Sequence, residues 1–134
     1  MGLLLDTNVL IRAERRDKAP DWSAWHGEGE AYLAAISASE LLGGVHRADS
    51  EARRVRRAAF VEAILAAIPV LPFDLETARV HAQLLAALPR GVTVGAHDLL
   101  IAAAAAQHGL AVLTANAREF ERIPGIRVLD FNAA

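Results

Sequence analysis

The chain has no cysteine, which removes disulfides, thiolate nucleophiles and Cys-based zinc sites together. Lys18 is the single lysine among 14 basic residues, so a mechanism that needs a lysine must use that one. Aromatic side chains make up only 5 % of the sequence. The longest apolar run, Leu99 to Ala106, falls far short of the roughly 18–20 residues that span a bilayer. The run Leu3 to Leu5 is cut by Asp6 before it could act as a secretion signal. The expectation is a soluble, cytoplasmic protein with no membrane partner. A net charge of −2 excludes a globally basic nucleic-acid binder, leaving local basic patches or metal ions to meet any such ligand. There is also no glycine-rich phosphate loop of the kind that nucleotide-binding folds use.

What is present is a core. With 134 residues, 54 % of them hydrophobic, the chain is expected to form one domain over 1–134. Leu3-Leu4-Leu5 has no polar alternation and reads as a strand buried on both faces, as in a parallel sheet. It stops at Asp6, and a helix with Thr7 or Asn8 as its cap is expected to about Arg16. Asp17 to Glu30 reads as loop with a short helical turn near Trp22 to His26, where Trp22 and Trp25 serve as packing anchors. Tyr32 to Ile36 reads as a second strand, and Ser37 or Ser39 as the cap of a helix carrying Glu40 and ending near His46.

Gly43-Gly44 inside that helix predicts close approach of another backbone. Ser50 opens a longer helix to about Ala67, whose Arg53, Arg54, Arg56 and Arg57 form the one dense basic cluster. It reads first as a solvated face, with RNA backbone contact as the other reading. Pro69-Val70-Leu71-Pro72 predicts an edge strand, and Asp74 caps a helix to about Leu88. Gly95 to His108 is an almost wholly apolar helix that must lie between layers, with Gly109 as its C-cap. Ala111 to Thr114 is a fourth buried strand, followed by a short helix with Glu119 and a last strand at Arg127 to Leu129. Alternating strands and helices predict an α/β sandwich around a mostly parallel sheet of four to five strands.

Four acids occupy equivalent places in that pattern. Asp6 follows the first strand, Glu40 and Asp98 fall in first helical turns, and Glu119 begins the helix after the fourth strand. Taken singly, a carboxylate in a first turn is stabilised by the helix dipole by about 0.3–1 kcal/mol. Asp98 resists that explanation, because the helix it opens is apolar nearly all round. Two carboxylates ~4 Å apart repel by about 4 kcal/mol at an effective dielectric near 20. A divalent cation would relieve that repulsion, and oxygen-only donors point to Mg²⁺ or Mn²⁺. Phosphoryl transfer is the chemistry such a centre performs.

Two other enzyme classes start with an acid after a buried strand. Haloacid-dehalogenase-like phosphatases need a second Asp where this chain has Asn8, and a later lysine. Receiver domains need a late lysine too. Lys18, the sole lysine, comes too early for either.

The motifs Leu4-Leu5-Asp6-Thr7-Asn8-Val9-Leu10-Ile11, Ser37-Ala38-Ser39-Glu40-Leu41, His97-Asp98-Leu99-Leu100-Ile101 and Leu113-Thr114-Ala115-Asn116-Ala117-Arg118-Glu119-Phe120, with the tail Ile123-Pro124-Gly125-Ile126, together resemble the PIN-domain ribonucleases, and within them the VapC toxins of toxin–antitoxin pairs. The resemblance runs over essentially the whole chain. It implies a three-layer α/β/α sandwich and a Mg²⁺-dependent endoribonuclease, with Mn²⁺ as substitute, that cuts transfer or ribosomal RNA to leave a 5′-phosphate and a 3′-hydroxyl. By the same resemblance Asp6 and Asp98 are core metal ligands, Glu40 the third acid and Glu119 the more variable fourth. Thr7, Asn8, Thr114 and Asn116 match supporting polar residues. His97 occupies a slot the family does not fix and reads as structural, while His26, His46, His81 and His108 share no motif. A homodimer and a VapB-type antitoxin are implied as well. The Trp22–Trp25 segment and the helices from Glu40 to Ile68 are candidates for the antitoxin groove. The rival reading is a PIN fold used only as a non-catalytic RNA- or protein-binding module. Its mark would be a missing acid, and all four are present.

Overall fold

The computed structural model of the chain describes residues 2–15 and 23–133. Strand β1 (Gly2–Leu5) is fully buried, as three consecutive leucines require. Helix α1 (Thr7–Arg15) follows, and after residues 16–22, a 3-10 turn at Ser23–Glu28 leads into β2 (Glu30–Ala34). Helices α2 (Ala35–His46) and α3 (Glu51–Ala67) precede the two-residue strand β3 (Val70–Leu71). Helices α4 (Leu75–Ala87) and α5 (Ala96–His108) then return the chain to β4 (Ala111–Thr114). Helix α6 (Ala117–Glu121) and β5 (Val128–Asp130) complete the sheet.

The five strands lie in the order β3-β2-β1-β4-β5, and every pairing is parallel. The chain builds outward from β1 through β2 to β3, then crosses back to add β4 and β5 on the other side. The order therefore reverses between β1 and β4, and crevices of open parallel sheets form at the carboxyl ends of such a pair. Alternation along β1 separates two cores. Leu3 and Leu5 pack with Val9 and Leu10 of α1, Leu41 and Val45 of α2, and Val61 and Ile64 of α3. On the opposite face, Leu4 and Val112 meet Leu99, Ile101, Ala102 and Ala105 of α5 and Phe120 of α6. Helices on one face during the outward build and on the other after the return are what right-handed crossovers produce. Each fully buried leucine contributes about 1.5–3 kcal/mol, so the layers are held without help from disulfides.

Local signals explain most boundaries. Ser50 caps α3 by accepting from the Arg53 backbone N–H, and Asp74 with Thr77 forms a reciprocal capping box on α4. The buried Thr77 hydroxyl also meets Gln107 Oε1 at 2.6 Å, tying α4 to α5. Gly109 ends α5 with φ +65°, a left-handed conformation that a Cβ would strain. β3 is an edge strand, as its flanking prolines predict.

Four expectations need correction. Helix α1 begins at Thr7 itself, so neither Thr7 nor Asn8 caps it, and both side chains reach across to other elements. β2 ends at Ala34, and α2 starts at Ala35 without a side-chain cap, so Ser37 and Ser39 lie inside the helix. Alanine's strong helix propensity extends α2 backward, and Glu40 consequently sits in the second turn rather than the first. The last strand is Val128–Asp130, one residue later than expected. Finally, the close neighbours at Gly43-Gly44 are arginine side chains rather than another backbone. A Cβ on Gly43 would lie 3.1 Å from Arg47 Nη1, and Arg57 Nη1 donates to the Gly44 carbonyl at 2.9 Å.

Candidate active site

The carboxyl ends of β1 and β4 deliver the first two pieces of the site side by side. Asp6 is 6 % exposed, and its backbone N–H donates to the Leu113 carbonyl at 2.9 Å. Its Oδ2 accepts from the fully buried Thr114 hydroxyl at 2.8 Å. The Thr114 Oγ1 in turn accepts from the Asn116 backbone N–H at 2.9 Å. Asn8 Oδ1 accepts from the Ala115 backbone N–H at 3.2 Å, fastening the start of α1 to the end of β4. Burial raises the Asp6 carboxyl above the ordinary aspartate range. The Thr114 hydroxyl and the Thr7 backbone N–H pull it back, and the Glu40 charge adds to the rise.

Helices α2 and α5 bring two more acids of the motif set. Glu40 Oε1 accepts from the Thr7 hydroxyl at 2.8 Å, and its Oε2 lies 3.2 Å from His97 Nδ1. Asp98, in the first turn of α5, has its carboxyl pushed up to about 6. Burial is the main cause, followed by the negative charges of Asp6, Glu119 and Glu40, with His97 opposing them. Four acids spread over more than a hundred positions therefore share one electrostatic neighbourhood. Glu119, on α6, has Arg122 Nη1 at the 4.0 Å limit of an ion pair.

The donor set suits a hard divalent cation: carboxylate oxygens, with hydroxyl and amide groups behind them and no sulfur. Mutual repulsion at Asp98 is the load such an ion would remove. Among the described residues, no group of three or more His, Cys, Asp or Glu is arranged to hold an ion with the side chains as placed.

Comparison with known proteins decides the family. The model of the PIN domain matches residues 3–126. Ribonuclease VapC1 of Rickettsia felis is 39 % identical over 135 residues, covering 99 % of this chain and 98 % of that protein. The tRNA(fMet)-specific endonuclease VapC of Salmonella typhimurium is 40 % identical over 132 residues, covering 98 % of each. The chain belongs to the PIN-domain family, in its VapC branch. Among solved structures, DNA-bound VapBC from Salmonella typhimurium superposes with a TM-score of 0.85 at 33 % identity, over 97 % of this chain and 98 % of that one.

At this candidate site Asp6, Glu40, Asp98 and Glu119 are neighbours, Thr7 and Thr114 donate to Glu40 and Asp6, and Asn8 accepts from the Ala115 backbone N–H beside them. Asn116 is exposed and is joined through its backbone alone. His97 departs from its structural reading: its side chain is 56 % exposed and rests against Glu40 rather than in the core. Adjacency to Asp98 was the only sequence signal for it. The Asn132 side chain, also unanticipated, donates to the Ala115 carbonyl at 2.9 Å and accepts from Arg12, buttressing the β4–α6 connection.

The arginine cluster is largely spoken for. Arg53 pairs with Asp49, Arg54 with Glu51, and Arg57 with Glu14, while Arg56 has no ion pair among the described residues. These contacts favour the solvated-face reading. Trp25 stacks on Phe131 with ring centroids 5.2 Å apart, as a packing anchor should, whereas Trp22 lies outside the described residues. Helices α2 and α3 do expose Leu42 and Val55. An apolar cavity of about 420 Å³ is walled by Ile36, Leu71, Phe73, Leu100 and Ala104. No helix among the described residues is long and apolar enough to cross a membrane.

Proposed function

We propose that this chain is a Mg²⁺-dependent endoribonuclease, with Mn²⁺ as an effective substitute, and the toxin of a toxin–antitoxin pair acting on translation in the cytoplasm. The supporting observation is the meeting of Asp6, Glu40, Asp98 and Glu119 in one neighbourhood, where burial first and then the charges of the other three raise Asp98, a repulsion that a bound divalent cation would relieve. Asp6 and Asp98 would be the principal ligands, Glu119 would act directly or through water, and Glu40 would complete a second position with Asp6 or orient the attacking water. When bound, the cation lowers the pKa of a water and neutralises charge on the phosphate and leaving oxygen.

The chain's own residues do the rest. Thr114 and Thr7 fix Asp6 and Glu40 through their hydroxyls, and Asn8 holds β4 against α1. In-line attack of water on the phosphorus breaks the P–O3′ bond, giving a 5′-phosphate and, after proton return, a 3′-hydroxyl. Structured RNA is the substrate class, and transfer RNA is the first to test because the Salmonella relative carries that specificity in its name. A VapB-type antitoxin would cover the acidic cleft with a cationic side chain, against a homodimer of this chain.

The test is cleavage of a transfer and ribosomal RNA pool by the purified chain with Mg²⁺ or Mn²⁺, read by sequencing new 5′ ends. Discrete ends that vanish in Asp6→Asn, with its circular dichroism unchanged, are expected; a loss of at least a thousandfold fits removal of a metal ligand. Intact RNA together with a melting temperature indifferent to both ions would overturn the reading in favour of a non-catalytic binding module.

A further inference from the structure

Each oxygen of Glu40 lies against a residue from a different element. Thr7, at the head of α1, donates to Oε1 at 2.8 Å. His97, at the head of α5, places Nδ1 3.2 Å from Oε2. Glu40 itself comes from the second turn of α2, so this carboxylate joins three helices that the chain reaches by separate crossovers. A glutamate has three side-chain torsions, and one anchor leaves its second oxygen free to swing. Two anchors on different elements remove that freedom.

From this geometry we infer that His97 is a positioning residue for Glu40, acting with Thr7 to fix the plane of its carboxylate at the edge of the acidic cluster. The inference rests on the nuclease reading for its consequence in turnover, though the contact itself does not. Loss of His97 leaves Glu40 held by Thr7 alone, and misplacement of a catalytic carboxylate by an ångström costs one to two orders of magnitude in rate. Substrate binding is spared, because the acids attract no RNA phosphate. An asparagine at this position can place its amide N–H near where Nδ1 stands, whereas alanine cannot.

Two measurements on the full chain test this. In the first, kcat and KM for RNA cleavage are compared for the native protein, His97→Ala and His97→Asn. The expected result is a kcat lower by about tenfold or more in His97→Ala, a KM within about twofold, and recovery of most of the rate in His97→Asn. Unchanged kcat in His97→Ala would overturn the inference. So would a raised KM that asparagine does not restore, since that marks direct contact with RNA. The second is nitrogen-detected NMR of the His97 imidazole in metal-free protein, with and without Glu40→Gln. A shift of the Nδ1 resonance in Glu40→Gln supports the contact, and its absence overturns it. This arm needs no activity, so failure of the nuclease reading and failure of the His97 contact are told apart.

Discussion

Replacing Asp98 by Asn should make the metal-free protein more stable at pH 7.5. The folded carboxyl keeps its proton up to about pH 6, whereas an unfolded aspartate releases it near 3.9. Between those values the native state binds more protons than the unfolded one, so this group lowers stability as pH rises and the full cost is present above about 6. A shift of about two units corresponds to roughly 3 kcal/mol. Asp98 is only half-buried, and solvent screening reduces that to about 1.5 kcal/mol. The substitution also forfeits a favourable charge in the first turn of α5, worth about 0.5 kcal/mol. A net gain of about 1 kcal/mol remains, or about 3 °C in melting temperature for a chain of this size. Calorimetry in EDTA at pH 7.5 and again near pH 4 checks it. The variant should melt higher at the first pH and lose that advantage at the second. A lower melting point at pH 7.5, or an offset that ignores pH, would refute the electrostatic account of the site.

The same cluster predicts the response to metal. At a Mn²⁺ concentration one hundred times its dissociation constant, the native chain should gain about 2.7 kcal/mol, and Asp98→Asn should gain little, as read by thermal shift. Thr114→Val removes the hydroxyl that donates to Asp6 and accepts from the Asn116 N–H. It should cost about 1–3 kcal/mol in urea denaturation, because the buried Asp6 carboxylate loses a partner. Gly109→Ala forces a Cβ into the left-handed cap of α5 at φ +65°, and should cost about 1 kcal/mol by the same measurement without altering cleavage.

Legibility in the sequence followed how locally each feature was encoded. Leu3 to Leu5 and Ala111 to Thr114 could be read as central strands because burial on both faces leaves no polar residue in the run. Helix α5 declared its layer through its alanines, and Ser50, Asp74 and Gly109 marked helix ends by side-chain or backbone chemistry that acts within four residues. The start of α2 was misplaced because Ala34 caps it with backbone alone while Ser37 and Ser39 offer false caps inside it. That shift put Glu40 one turn too early. Asp6 and Asp98 were legible as strand-end and helix-start positions; which hydroxyl or imidazole touches which carboxylate was not. Thr7 meets Glu40 across 33 positions and Thr114 meets Asp6 across 108, and such pairings depend on crossover geometry that no short motif carries.

The in-register pairing of Leu3 with Ala111 has an effect on timing during synthesis. The strand that begins the chain must wait, unpaired on that edge, until β4 has left the ribosome, and contacts so distant in sequence form slowly. Asp6 meets Thr114 only once that late strand slots in beside it. Chains released before β4 is made would thus lack the Thr114 hydroxyl that holds Asp6 at the candidate site.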